Sequence, residues 1–338
     1  MTSTENTRLP VIDLSLLQGD LCQQKQLSEQ LRTAARDIGF FYLRGHGIPD
    51  ELIRAVQQIA RRFFELPEAD KLSVRMANSP HFRGYNRAGV EITRGQPDYR
   101  EQFDIGAERA AVNSPDGPAW QRLQGPNQWP VMLPALRDVL TRWQHEMTAV
   151  ALKLLRALAV SLSLPEQAFD ALYGALPNEH IKLIRYPGQP VTASGQGVGA
   201  HKDSGFLTLL LQDKQAGLQV EVSPEVWTDV IPVAGTFVVN IGELLELATN
   251  GYLRATVHRV VSPAEAQERL SVAFFLGAQL DTTVSVYPLP DELAQQARGA
   301  ASDPLNPLLR DVGWNYLKGR LRSHPEVAKR FYPEFYAE

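Results

Sequence analysis

Two spacings of hydrophobic residues divide the chain near residue 179. Before that point apolar positions recur every three or four residues over 24–37, 49–64 and, longest, 133–164. In the last of these Met147, Val150, Leu154, Leu155, Leu158 and Leu162 share one face, which predicts an amphipathic helix packed on a sheet. Val11-Ile12-Asp13 reads as a short strand leading into the first helix. Phe40-Phe41-Tyr42-Leu43 reads as a second strand, closed by a turn at Gly45-His46-Gly47. Proline, glycine, asparagine and tryptophan dominate 110–134, which predicts a long ordered loop. After residue 179 the pattern shortens to strand-like runs at 181–186, 206–212, 218–222, 236–241, 255–261 and 269–276, and helical composition returns over 291–338. The expected fold is mainly β with flanking helices, its strands forming a sandwich or barrel.

Composition removes several classes of function. Apolar residues make up 44% and charged residues 21% of the 338, the balance of a folded globular chain. Lysine and arginine number 34 against 38 acidic residues, a net charge of −4, so there is no electrostatic footprint for nucleic acid. Cys22 is the only cysteine, which excludes an intrachain disulfide and thiolate-rich zinc modules and fits a reducing, cytoplasmic setting. The polar stretch 1–10 does not read as a secretory signal, and Lys153 and Arg156 interrupt the most hydrophobic helix, so no membrane span is expected.

Candidate chemistry sits in the strand-rich half. His201 and Asp203 are two apart, which in extended backbone places imidazole and carboxylate on one face. His258 lies in a further strand-like run. Two histidines and one carboxylate are the donor set of non-haem Fe(II) oxygenases, which leaves coordination positions open. Each residue alone has an ordinary structural explanation. The case strengthens at Arg269-Leu270-Ser271, where the period of two aligns a guanidinium and a hydroxyl able to hold a carboxylate. The same three ligands could serve a zinc hydrolase, but no glutamate or histidine base accompanies them in sequence.

With these elements the chain resembles the Fe(II)- and 2-oxoglutarate-dependent dioxygenases of the isopenicillin N synthase type. The resemblance spans almost the whole sequence. It rests on Leu9-Pro10-Val11-Ile12-Asp13, Gly39-Phe40-Phe41, Gly45-His46-Gly47-Ile48, Gly125-Pro126-Asn127-Gln128-Trp129-Pro130, Arg185-Tyr186-Pro187, His201-Lys202-Asp203, Asn240-Ile241-Gly242, Thr249-Asn250-Gly251, His258-Arg259-Val260 and Arg269-Leu270-Ser271. It implies a single oxygenase unit over 1–338: an N-terminal helix-and-strand region to about 179, a double-stranded β-helix (jelly roll) over about 180–285, and a helical tail over 286–338. It further implies that His201, Asp203 and His258 hold Fe(II), and that Arg269 and Ser271 bind the distal carboxylate of 2-oxoglutarate. Tyr186 would position that co-substrate or the substrate. The implied reaction uses O2 and 2-oxoglutarate to oxidise a C–H bond of a small molecule, releasing succinate and CO2.

Two rival functions stand beside this one. An oxidase like isopenicillin N synthase would use the clamp for a peptide carboxylate without 2-oxoglutarate, although the chain has no glutamine after Gln296 of the kind that can ligate resting iron there. A ligand-binding protein that kept the fold and lost turnover is the other. Around the site, Arg83 and Tyr85 are candidate substrate contacts or members of an ordered surface loop, and Phe275 either lines the substrate side or packs the core. His46 reads as a turn residue bonded to backbone. His81, His145, His180 and His324 carry no partner pattern and read as solvated or locally hydrogen-bonded, and Cys22 as an ordinary thiol.

Overall fold

The computed structural model describes residues 9–112, 114, 116–174, 177–190, 195–304 and 306–336. Most of the N-terminal stretch 1–10, and the last two residues of the tail, lie outside these. In chain order the strands are β1 (Val11–Asp13), β2 (Phe40–Arg44), β3 (Gly84–Asn86), β4 (Ile92–Thr93), β5 (Gln96–Pro97), β6 (Glu101–Gly106) and β7 (Asn178–Pro187). They continue as β8 (Gln196–His201), β9 (Leu207–Gln212), β10 (Leu218–Ser223), β11 (Val226–Asp229), β12 (Phe237–Ile241), β13 (His258–Val261) and β14 (Glu268–Gly277). A large sheet runs β1-β2-β12-β9-β14-β7-β6-β3, and a small one runs β11-β10-β13-β8.

Side-chain alternation decides what each strand faces. From the large sheet, Phe40, Tyr42, Ile184, Tyr186, Val238 and Ala273 turn one way and cluster with Val198, Leu218, Val220 and Val260 of the small sheet. This is the interior of the jelly roll, mainly β with flanking helices as the spacing predicts. Their neighbours Phe41, Leu43, Ile181, Leu183, Val239, Val272 and Phe274 turn the other way and pack with the helices. The predicted long helix runs Ala135–Ser161 and buries Leu140, Trp143, Met147, Leu154 and Leu158 completely. Helices Leu21–Asp37 and Asp50–Phe64 pack against it. Asp20 begins the first of them with a capping box, its carboxylate accepting from Gln23 N at 2.9 Å while the Gln23 side chain accepts from Asp20 N.

The structure departs from the sequence expectations in three places. β8 and β11 are additional strands: glycines weaken the β signal of the first, and the second is a four-residue edge. Gly197 in β8 is required by closeness, because a Cβ there would lie 2.9 Å from the Tyr186 ring. β13 begins only at His258, and β8 ends at His201, so Asp203 follows the strand instead of lying in it. Most consequential, β1, β2, β3 and β6 complete the large sheet from residues before 179. β6, read from sequence as loop, is buried throughout despite carrying Glu101, Gln102 and Asp104. Among the described residues no helix is long and apolar enough to cross a membrane.

Candidate metal centre and its cavity

The triad is assembled by strand register. β8 and β13 pair antiparallel with His201 directly opposite His258, and the two imidazole centroids stand 4.3 Å apart. Asp203, two residues beyond the strand end, brings Oδ1 to 3.5 Å from His201 Nε2 and 3.7 Å from His258 Nε2. Donor atoms of all three residues lie within 4.8 Å of one another.

Hydrogen bonds behind these side chains aim them. His201 Nδ1 lies 2.8 Å from the Gly199 carbonyl and His258 Nδ1 3.1 Å from the Thr256 carbonyl. A carbonyl only accepts, so both histidines are protonated at Nδ1 and direct Nε2 toward the shared point. Asp203 Oδ2 accepts from Thr208 Oγ1 at 2.5 Å and from Asn240 Nδ2 at 2.8 Å, which leaves Oδ1 facing the imidazoles. Thr208 and Asn240 are themselves a cross-strand pair between β9 and β12. Burial pulls the Asp203 carboxyl upward, but His258, His201 and Thr208 outweigh it and hold it well below the usual carboxylate range. Burial and the neighbouring His201 push His258 down to about 4, so it is a neutral donor near neutrality. Burial pulls the His201 imidazole down, but the Asp203 carboxylate outweighs it and holds it above the ordinary value, so a metal at this point would displace a proton from it. Two imidazole nitrogens and one ionised carboxylate fit a divalent transition metal with open positions.

Arg269 lies elsewhere in the barrel interior and is completely buried. Its Nη1 donates to Ser271 Oγ at 3.3 Å and its Nη2 to Gln212 Oε1 at 3.1 Å, while the guanidinium sits 4.9 Å from the Tyr186 ring centroid. Among the described residues no carboxylate pairs with it, and its buried Nε has no hydrogen-bond partner. A buried cation with an unused donor suits the carboxylate of a small dicarboxylate.

A cavity of about 500 Å³ opens on the triad, within the range of small-molecule sites. Its walls come from β7 (His180, Lys182), β14 (Phe275), the 91–100 segment (Glu91, Arg100) and the C-terminal helix Val312–Ser323 (Arg320). Ion pairs knit them: Arg100 to Glu91 at 2.8 Å, Lys182 to Glu91 at 3.0 Å, and Arg320 to Asp104 at 3.3 Å. Asp98 ties this wall to the triad, since its Oδ1 accepts from the Gly199 N–H at 3.1 Å, in the residue whose carbonyl orients His201.

Phe275 lines this cavity, with its ring centroid 5.7 Å from that of His180. Arg83 and Tyr85 do not. Arg83 donates from Nη1 and Nη2 to the His81 and Leu123 carbonyls, away from the cavity, and the Tyr85 hydroxyl donates to Glu101 at 2.6 Å. His46 accepts from the Ile48 N–H, the expected turn contact, and Cys22 is exposed. The reading of His180 and His324 as ordinary solvated or locally bonded histidines is corrected. Both are buried in the wall of charges, His180 3.0 Å from Asp104 and His324 3.6 Å from Glu91. Sequence reasoning also passed over Lys182, whose parity with Tyr186 on β7 was a usable signal. Glu91, Arg100 and Arg320 gave none, because only tertiary folding brings them together.

Two family models match the chain: one for the N-terminal region of non-haem dioxygenases in morphine synthesis, over 9–131, and one for the 2OG-Fe(II) oxygenase superfamily, over 177–278. A 2-oxoglutarate-dependent dioxygenase, frbJ, of Dothideomycetidae sp. is 35% identical, covering 97% of this chain and 94% of that protein. Homoarginine-6-hydroxylase 2-ODD-C23.1 of Arabidopsis thaliana is 36% identical over 83% of this chain and 88% of its own length. The full-length Neurospora crassa T7H solved in complex with alpha-KG superposes with a TM-score of 0.76 at 25% identity, covering 94% of this chain and 98% of that one.

Two predictions follow from the hydrogen bonds around the site. Asn240→Leu removes one of the two donors to Asp203 Oδ2, so divalent-metal affinity should fall by roughly 10–100-fold with the fold intact, as read by anaerobic Fe(II) titration and circular dichroism. Burial, reinforced by Arg320, holds the folded pKa of His180 at about 3 despite Asp104, and burial holds that of His324 at about 4 despite Glu91, both below an ordinary 6.5. The unfolded chain therefore binds more protons below 6.5: stability is full above that value and is lost as pH falls toward 4 and 3. Urea unfolding of the metal-free protein should show a lower midpoint at pH 5 than at pH 7.5, and His324→Asn should reduce the difference by about 2 kcal/mol.

Proposed function

The chain belongs to the 2OG-Fe(II) oxygenase superfamily, and from that premise we propose that His201, Asp203 and His258 hold its Fe(II) and that Arg269 with Ser271 receives the distal carboxylate of 2-oxoglutarate. The protein is a 2-oxoglutarate-dependent dioxygenase, and the oxidase reading without 2-oxoglutarate gives way to it. The observation that carries the residue assignment is the triad itself, with two Nε2 atoms and one carboxylate oxygen directed at a common point and every other polar atom of the three occupied. When bound, iron and 2-oxoglutarate supply the oxidising power, O2 being reduced as 2-oxoglutarate loses CO2 to become succinate and a substrate C–H bond is oxidised.

The protein's own part is orientation and exclusion. Gly199 and Thr256 fix the imidazole tautomers, while Thr208 and Asn240 hold Asp203 ionised and aimed. Ser271 and Gln212 spread the Arg269 guanidinium, and Tyr186 covers its face. Phe275 and the charged wall of Glu91, Arg100 and Lys182 line the space beside the triad and limit the directions from which a substrate can approach it. These walls favour a small, polar substrate with charged groups. The 36% identical relative named as a homoarginine hydroxylase makes homoarginine the first substrate to try.

Anaerobic titration of Fe(II)-loaded protein with 2-oxoglutarate should give a saturable visible charge-transfer band. Arg269→Ala should weaken that titration by about 2–5 kcal/mol, the scale for losing one partner of a buried charge pair. Unchanged 2-oxoglutarate affinity in the variant removes Arg269 from the site, and the absence of succinate release with homoarginine turns the search to other charged small molecules.

A further inference from the structure

Charge bookkeeping around the cavity leaves one carboxylate unmatched. Glu243 opens the short helix Glu243–Ala248 that follows β12, and its backbone N–H donates to the Asp203 carbonyl at 2.8 Å. The placement is rigid: a Cβ on the preceding Gly242 would lie 2.2 Å from the Gly205 carbonyl oxygen, so the two backbones are in direct contact here. Glu243 thus lines the cavity beside the triad, with His201 and Asp203.

The cations nearest to it are engaged elsewhere. Lys202 donates to Glu246 at 3.2 Å, and Lys318 donates to the Pro307 carbonyl and to Asn315 Oδ1 at 3.1 Å. Across the cavity Arg100 and Lys182 are matched by Glu91, and Arg320 by Asp104. Lys202 and Lys318 act on Glu243 through their charge alone, and among the described residues it is the carboxylate lining this cavity for which no side-chain hydrogen bond or ion pair exists. A half-buried carboxylate has lost hydration without gaining a partner, and a ligand cation placed there restores the balance through charge-assisted hydrogen bonds.

We propose that Glu243 is a specificity-determining residue that receives the side-chain cation of the substrate, an ammonium or guanidinium, beside the metal site. The inference rests on the functional reading above and narrows its substrate class. A pocket that pairs a charge discriminates strongly against the neutral isostere, because binding the isostere leaves the carboxylate enclosed and unmatched. Glu243 thereby selects among small molecules, and the triad and clamp act on whichever one it admits.

The test is anaerobic calorimetry on protein loaded with Fe(II) and 2-oxoglutarate, titrated with L-arginine, L-lysine and L-citrulline, which share the α-ammonium and differ in that the citrulline side chain is near-isosteric with that of arginine and uncharged. The wild type should bind the two cations at least about tenfold more tightly than L-citrulline, and Glu243→Gln should weaken the cations until the preference falls to about threefold or less. Titration with 2-oxoglutarate should be the same for both proteins, which shows that the variant is folded and that its clamp is intact. A wild type that binds 2-oxoglutarate but shows no charge preference, or no saturable binding of either cation, overturns this proposal alone. A charge preference that survives in Glu243→Gln overturns it as well.

Discussion

The carboxylate of Asp203 has two oxygens, and the fold gives each a separate task. Oδ2 is held by Thr208 and Asn240, neighbours on adjacent strands of the large sheet, so Oδ1 is left to face two imidazoles carried by the small sheet. The site therefore exists only when both sheets are formed and correctly stacked. Register makes this strict. His201 opposes His258 across β8 and β13, and a slip of one residue would turn either side chain to the other face. Oxygenase chemistry in this chain is a property of sheet pairing before it is a property of any residue.

The same dependence reaches back into the N-terminal half. β6 is a polar strand in a buried position, tolerated because its charges are matched by residues distant in sequence: Asp104 by Lys182 and Arg320, with His180 as a hydrogen-bond partner, and Glu101 by Lys71 and Arg185. Groups of this kind add little net stability as pairs, yet removing one partner costs about 3–5 kcal/mol. Their value is positional. They fix where the wall of the cavity stands, and through Asp98 and Gly199 they connect that wall to the ring orientation of His201.

The parts of this arrangement legible in sequence were those with a short period. Alternation in β7, β9, β12 and β14 revealed the barrel strands, and the two-residue spacings of His201 with Asp203 and of Arg269 with Ser271 marked side chains that the fold brings together. The 3.6-residue period located the long helix to within a few residues of Ala135–Ser161. Glycine-rich β8 and polar β6 were not legible, because their strand character is imposed by neighbours. The supporting residues were hidden for the same reason. Thr208, Asn240, Glu91 and Arg320 acquire their roles from contacts across 5 to more than 200 positions, and no local pattern announces such contacts. Arg83 shows the converse error, since a loop arginine beside aromatics suggests a ligand contact until backbone carbonyls are seen to take its donors.

Pairing of β7 with β14 also separates the constant part of the chemistry from the variable part. Along the inward faces Arg269 opposes Tyr186, Ser271 opposes Ile184, Ala273 opposes Lys182, and Phe275 opposes His180. One end of this ladder is the buried Arg269–Ser271 pair, and the other, roughly 20 Å along the strand, is cavity wall. The cavity end is completed by the 91–100 segment and by the C-terminal helix, which the barrel does not need for its own closure. Substitutions in those outer segments can reshape what the cavity admits while Arg269 and the triad stay in register, so substrate choice and oxidising power can change independently on one fold.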